Sequence, residues 1–239
     1  MGGLTAGARR VGVFGGTFDP VHVGHLIIAE EARHALGLDA VLFVPARRSP
    51  LKAHEPRADD AARVAMLEGA IAGQPAFTVH RVDLDRPHPS YTVDTLAHLR
   101  AELDTVTDWW FVLGADALAD LPAWHAPGRV VALARLAVFD RPGAAPDMAA
   151  LAAAVPGLAG RVDRVPAPLV GISATDLRQR VAAGRPIRYQ VPAAVEAYVH
   201  AHGLYGSGGA PDAGGRATDG RDAGGDGTGG RAPGRGNDR

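Results

Sequence analysis

The stretch VGVFGGTFDPVHVGHLIIAEEARHALG, residues 11–37, decides the fold. Its first five residues, 11–15, are short, apolar and β-branched or aromatic, and read as a buried strand. From Val23 the apolar residues recur at helical spacing until Gly37, a residue suited to the left-handed turn that closes a helix. Between strand and helix lies an unusual turn. Gly15 and Gly16 let the backbone bend and come close to a ligand. Thr17 adds a hydroxyl beside Phe18, and Asp19-Pro20 forces a turn before the helix starts. The open N–H groups of a helix start favour an anion. His22 and His25, three apart, project to the same side of the first turn, with room left by Gly24. Two readings stand at this point: a phosphate-holding donor cluster, or a glycine-rich turn with surface histidines. A Walker loop is excluded because Lys52, the sole lysine, lies elsewhere, and the G-x-G-x-x-G fingerprint is absent. A zinc site on His22 and His25 lacks a third ligand.

Outward from this unit the alternation repeats. Strands are expected at 40–46, 77–84, 109–116, 135–141 and 161–168. Helices are expected at 57–73, 92–103, 173–184 and 192–204, with a short broken helix at 117–125. Such alternation predicts one α/β domain, a Rossmann-like parallel sheet with helices on both faces. Ligands in these sheets bind beyond the carboxyl ends of the strands. The segments directly after strands also carry the unusual residues: GGTFDPVHVGH, PARRSPLKAH, DRPHPSYTVD, GADALADLPAWH and VGISATDLRQR.

Composition bounds the rest. The 239 residues carry a formal net charge of −1 and no cysteine, which excludes disulfides, thiolate-held zinc and thiol catalysis. No apolar run is long enough to span a membrane, so the expectation is a cytoplasmic protein. No basic face supports nucleic-acid binding. Residues 206–239 are almost entirely Gly, Arg, Asp, Ala and Pro, with no large apolar side chain to offset ordering entropy. The expected organisation is a domain over 1–205 and a disordered tail over 206–239. The tail's arginines are matched by its aspartates. Whether copies of the chain form a homo-oligomer is left open.

Two motifs together carry a family resemblance. GGTFDPVHVGH resembles the H-x-G-H pattern of the nucleotidyltransferase superfamily, and ISATDLR its distal partner, I-S-x-T-x-x-R. PSYTVDTL (89–96), GADALADLPAWH (114–125), FDRPG (139–143) and VEAYVHAHGLY (195–205) resemble, in order, segments of bacterial nicotinate-nucleotide adenylyltransferases. The resemblance spans about Val11 to Tyr205. It implies transfer of the adenylyl group of ATP to nicotinate mononucleotide, giving nicotinate adenine dinucleotide and pyrophosphate in NAD biosynthesis. Mg2+ is expected to arrive on the triphosphate, with no metal site on the protein.

The resemblance also implies roles. Gly15, Gly16, Thr17, Phe18, His22 and His25 would surround the ATP phosphates, with His25 on the charge developing at the α-phosphate. Arg178, with Ser173 and Thr175, would hold the β- and γ-phosphates; without the resemblance it reads as a solvated helix arginine. Trp124 would stack on the pyridine ring, where packing alone would place it in the core. Tyr91 and Thr92 would meet the nicotinate carboxylate at a helix start. Asp116 would accept from ribose hydroxyls or cap a helix. Trp109 and Trp110 lie inside a strand and read as core or as a layer behind the site residues. Ala174 stands where the family usually has a second serine. Lys52 is assigned to substrate on a looser match, with Arg47 or Arg48 as alternatives. A pantetheine-phosphate adenylyltransferase shares both phosphate motifs but typically lacks PSYTVDTL and LPAW. A nucleotide sensor on the same fold would not need the transition-state groups.

Overall fold

The computed structural model describes residues 7–47, 56–87, 89, 91–140 and 146–206. Among them six strands, β1 (Arg10–Gly16), β2 (Ala40–Pro45), β3 (Phe77–Val79), β4 (Asp108–Gly114), β5 (Arg135–Phe139) and β6 (Val162–Val165), form one sheet in the order β3-β2-β1-β4-β5-β6. Every pairing is parallel; Phe14, for instance, stands between Phe43 and Val112. The chain winds outward from β1 in one direction and from β4 in the other. The crevice between β1 and β4 is therefore the place where the strand order reverses and a ligand site opens.

Among the described residues, six helices connect the strands, α1 (Val23–Leu36), α2 (Asp60–Ile71), α3 (Thr92–Glu102), α4 (Ala115–Ala119), α5 (Pro127–Leu133) and α6 (Met148–Ala154), and two follow the last strand, α7 (Ala174–Ala182) and α8 (Ala193–Ala201). They cover both faces. Val11, Val13, Leu42 and Val44 pack with Leu96 and Leu99 of α3 and Val130 of α5. The alternate residues Phe14, Val41 and Phe43 pack with Ala29 of α1, Met66 of α2 and Val195 of α8. The period-2 exchange along each strand thus feeds two separate cores. Gly37 closes α1 at φ 58, as its position in the sequence predicts. None of these helices is long and apolar enough to cross a membrane.

Several expectations are corrected; the strand expected over 161–168, for one, is confined to Val162–Val165. The strand expected over 77–84 ends at Val79. Beyond it the chain curls: His80 Nδ1 accepts the Val82 amide, and Arg81 O accepts the amides of Leu84 and Asp85. The alternating Val82 and Leu84 are buried in this turn, so burial without strand pairing produced the pattern. The strand expected to 116 ends at Gly114, and Ala115 and Asp116 open α4. Helices α5 and α6 were not anticipated; α6 is capped by Asp147, whose side chain accepts the amides of Ala149 and Ala150. The expected tail, from Ser207 onward, lies outside the described residues.

Candidate active site

A cleft of about 1170 Å³ opens at the carboxyl ends of β1, β4 and β5. It exceeds the usual volume of a site for one small ligand, roughly 300–1,000 Å³. Every described residue assigned above to ATP or to the mononucleotide lines it. Lys52 and Arg48 fall outside the described residues. Arg47 is engaged elsewhere: its guanidinium donates to Leu84 O and lies 3.3 Å from Asp60. It is not among the residues that line the cleft.

The first half of the cleft grows from the β1–α1 turn. The glycines do not make that turn: Gly15 and Gly16 are the last two residues of β1, and the left-handed residue is Phe18, at φ 49, before a cis Asp19-Pro20 bond. Gly16 is required for a different reason. A Cβ there would stand 2.9 Å from the Phe18 ring, which is folded back and buried. That ring meets His25 edge-on at 5.0 Å and Phe14 at 5.7 Å. His22 is the N-cap residue of α1, and its ring stacks on that of His25 at 3.7 Å. The pair thus shares one side of the first turn, as their spacing predicts. A Cβ on Gly24 would come within 3.1 Å of His22 Nδ1, so the glycine does leave room. The His22 amide donates to His25 Nδ1 at 3.2 Å. In the neutral ring the proton then resides on Nε2, which becomes a donor.

Helix α7 supplies the opposite wall. Ser173 caps it, its hydroxyl oxygen accepting the Asp176 amide at 3.0 Å. Arg178 donates to Asp19 O at 2.7 Å and to Thr175 Oγ1 at 3.2 Å. It is a quarter exposed, so it is an inward arginine bridging two segments 159 positions apart, not a solvated helix arginine. Ala174 is the first residue of α7 and also lines the cleft.

The other half is aromatic. Trp124 follows a short 3-10 turn at Leu121–Ala123 and stands edge-on to Phe111, 5.9 Å away. It is partly buried, packs against the core and also lines the cleft. Tyr91 is the N-cap of α3 and stacks on His125 at 4.4 Å. Thr92 and Val93 follow as the first residues of α3, whose opening amides have no intrahelical acceptor. Asp116 lines the cleft from the first turn of α4, but the capping position belongs to Gly114. Trp109 and Trp110 are core, and Trp110 Nε1 donates to Asp163.

Sequence reasoning missed several residues. Asp19, 3 % exposed, serves as a buried hub as well as a turn former. Its carboxylate accepts the amides of Arg57 and Ala58 and the Tyr205 hydroxyl. Arg63, fully buried, donates to Thr17 O and Ala46 O and so ties the β1–α1 turn to the end of β2. Asp83 lines the aromatic half beneath Thr95, whose hydroxyl donates to it. Burial pushes the Asp83 carboxyl above its ordinary value, against the lowering pull of Thr95 and Arg86. A charged residue deep in a helix or motif is the one signal the sequence held for Arg63 and Asp19. Nothing local marked Asp83 or His125. Among the described residues no three His, Asp or Glu side chains are grouped to hold a metal ion.

A family model described as cytidylyltransferase-like matches residues 13–180. Relatives named "Probable nicotinate-nucleotide adenylyltransferase" are close in sequence. The protein of Roseiflexus sp. strain RS-1 is 52 % identical over 195 residues, covering 82 % of this chain and 97 % of its own. That of Thermomicrobium roseum is 50 % identical over 196 residues, covering 82 % and 91 %. That of Thermus thermophilus is 46 % identical over 196 residues, covering 82 % and 99 %. A solved Plasmodium falciparum nicotinic acid mononucleotide adenylyltransferase, complexed with NaAD, matches with a TM-score of 0.66 at 17 % identity, over 82 % of this chain and 97 % of that one. At that identity the likeness concerns the fold.

Proposed function

The chain belongs to the nicotinate-nucleotide adenylyltransferase family, and from that premise we propose how its cleft divides the work. The reaction transfers the adenylyl group of ATP to nicotinate mononucleotide, releasing pyrophosphate and forming nicotinate adenine dinucleotide. The 5′-phosphate oxygen of the mononucleotide attacks the α-phosphorus as the bond to the β-phosphate oxygen breaks. The attacker is already an anion, so no general base is needed. Catalysis then rests on positioning and on stabilising charge.

The observation that carries the assignment is the stacked His22–His25 pair facing the same cleft as Arg178. His25 Nε2 donates to the α-phosphate oxygen as negative charge grows there. His22, nearer the turn, helps seat the triphosphate with Thr17 and the main chain of Gly15, Gly16 and Phe18. Arg178, Ser173 and Thr175 take the β- and γ-phosphates, Arg178 through its planar fork of donors. The Ser173 oxygen already accepts a capping bond, so it contributes only its hydroxyl proton to the phosphates.

In the aromatic half Trp124 stacks on the pyridine ring, and Tyr91 presents the α3 start to the ring carboxylate. The amides of Thr92 and Val93 favour an acid over a neutral amide there. Asp116 accepts from ribose hydroxyls. Lys52 remains assigned to the mononucleotide. Mg2+, carried on ATP, would neutralise triphosphate charge; the His-rich donor set offers no cage for it but suits the phosphate oxygens around it. The enzyme domain ends at 205, and the protein works in the cytoplasm.

A coupled pyrophosphate-release assay tests the reaction. With ATP and Mg2+, nicotinate mononucleotide should be the best acceptor, nicotinamide mononucleotide poorer, and phosphopantetheine inactive. Faster turnover of phosphopantetheine would overturn the substrate assignment.

A further inference from the structure

The phosphate-facing half is held from an unexpected direction. Tyr205 ends the domain at φ 64, next to Leu204, which packs on the α2–α8 side of the core. Its hydroxyl donates to Asp19 Oδ1 at 2.7 Å, across 186 positions of sequence. The Ala58 amide reaches the same oxygen at 3.1 Å, and the Arg57 amide reaches Oδ2 at 2.7 Å. The Arg178 guanidinium, by contrast, donates to the Asp19 main-chain carbonyl and stays 3.8 Å from Oδ2.

An arginine facing a buried carboxylate ordinarily closes into a direct, bidentate pair. Here three donors hold the carboxylate in place, and the guanidinium is tethered beside it without being captured. Burial beside Asp19 pushes the Tyr205 phenol far above its ordinary range, so its hydroxyl stays a donor wherever the protein is folded.

We propose that Tyr205 is a positioning residue for adenylyl transfer: by occupying Asp19 Oδ1 it keeps the carboxylate off Arg178 and leaves the guanidinium aimed into the cleft. The proposal rests on the assignment of Arg178 to the triphosphate. Without the hydroxyl, Asp19 turns toward the nearest cation, and Arg178 is drawn from the phosphates to the carboxylate. Tyr205 is not among the residues that line the cleft, so the role assigned to it runs through Asp19 and Arg178.

The test is a double-mutant cycle in the full chain, with Tyr205→Phe and Arg178→Ala singly and together. Phe keeps the ring and removes only the hydroxyl. Tyr205→Phe should lower kcat/KM for ATP roughly tenfold, a fraction of the ~100-fold that a 1 Å misplacement of a reacting group costs. The KM for nicotinate mononucleotide should stay put. In the Arg178→Ala background the same change should add almost nothing, because residues acting through one another are non-additive. Affinity for a non-transferable ATP analogue, measured calorimetrically well below the melting temperature of each variant, should show the same pattern without turnover.

Wild-type ATP kinetics in Tyr205→Phe beside an impaired Arg178→Ala would sink the positioning role and leave the Arg178 assignment standing. Additive losses, or a parallel rise in both KM values, would make Tyr205 a structural clamp and overturn the proposal. Normal ATP kinetics in Arg178→Ala would overturn the assignment itself, and the positioning role with it.

Discussion

Around the half of the cleft proposed to hold the phosphates, Arg178 crosses from α7 to the Asp19 carbonyl, Tyr205 reaches the Asp19 carboxylate, and Arg63 donates to Thr17 O. In the ring-facing half, Trp124 leans edge-on against Phe111, and Tyr91 stacks on His125. The first half is a web of directed hydrogen bonds drawn from distant parts of the chain. The second is an aromatic surface built on two neighbouring helix starts. Under the proposed division of the cleft, the difference follows from what each ligand asks. Stabilising charge at a phosphorus depends on donor positions to within fractions of an ångström, and hydrogen bonds impose such positions. Recognising a planar ring asks for contact area and a flat partner, which packing supplies with more tolerance.

Breaking each half should therefore damage different kinetic constants. The largest effect belongs to His25. His25→Ala should lower kcat by about 10²–10³-fold, the scale of losing one transition-state donor. The KM for ATP should move little, because that interaction strengthens only in the transition state. His22→Ala should show a milder loss divided between both constants. Circular dichroism and melting curves should stay near wild type. A collapse in melting temperature would make His25 a structural residue, fixed by its edge contacts with Phe14 and Phe18. A loss confined to KM would reduce it to a binding residue.

Trp124→Ala should give a smaller effect on the other side of the contrast. The KM for nicotinate mononucleotide should rise by about 5–150-fold, from the roughly 1–3 kcal/mol carried by stacking a base on an aromatic ring. The KM for ATP should hold. Because one edge of Trp124 also packs in the core, some loss of melting temperature is expected. A rise in the ATP constant instead would erase the division between the halves.

The smallest effect is expected from the tail. Removing residues 206–239 should leave kcat, both KM values and melting temperature nearly unchanged, because that composition cannot bury an apolar core. Extending the cut through Leu204 and Tyr205 should impair ATP use and stability together, since Leu204 packs on the core and Tyr205 holds Asp19. A loss already present on removing 206–239 would show that the tail docks.

The aromatic half and the histidine pair were largely legible in the sequence. His22, His25 and Trp124 sit in the segments that follow β1 and β4, where a parallel sheet must put its site, while Tyr91 and Thr92 lie at the start of α3, beyond the turn that follows β3. The strands themselves were legible because β-branched and aromatic runs declare them; the exception, 80–84, kept the alternation beyond the end of β3 without a partner strand to justify it. Helices α5 and α6 went unseen because each is about two turns long, too short for an apolar period to emerge, and α6 is mostly alanine as well.

What the residues determined by themselves was the alternation of strand and helix, the place of the cleft and the donors of the histidine turn, since all of these arise from spacing within a few residues. What only the tertiary structure decided was the state of those donors. Phe18, not a glycine, makes the left-handed turn, because its ring needs the space that Gly16 leaves. Arg178 faces inward because Asp19 receives it, and Asp19 is held by amides at 57 and 58 and a hydroxyl at 205. Such partners lie tens to nearly two hundred positions apart, so no local pattern encodes them. They meet because the doubly wound sheet brings the ends of β1, α2, α7 and α8 to one corner, where a buried carboxylate must find its donors or not be buried at all.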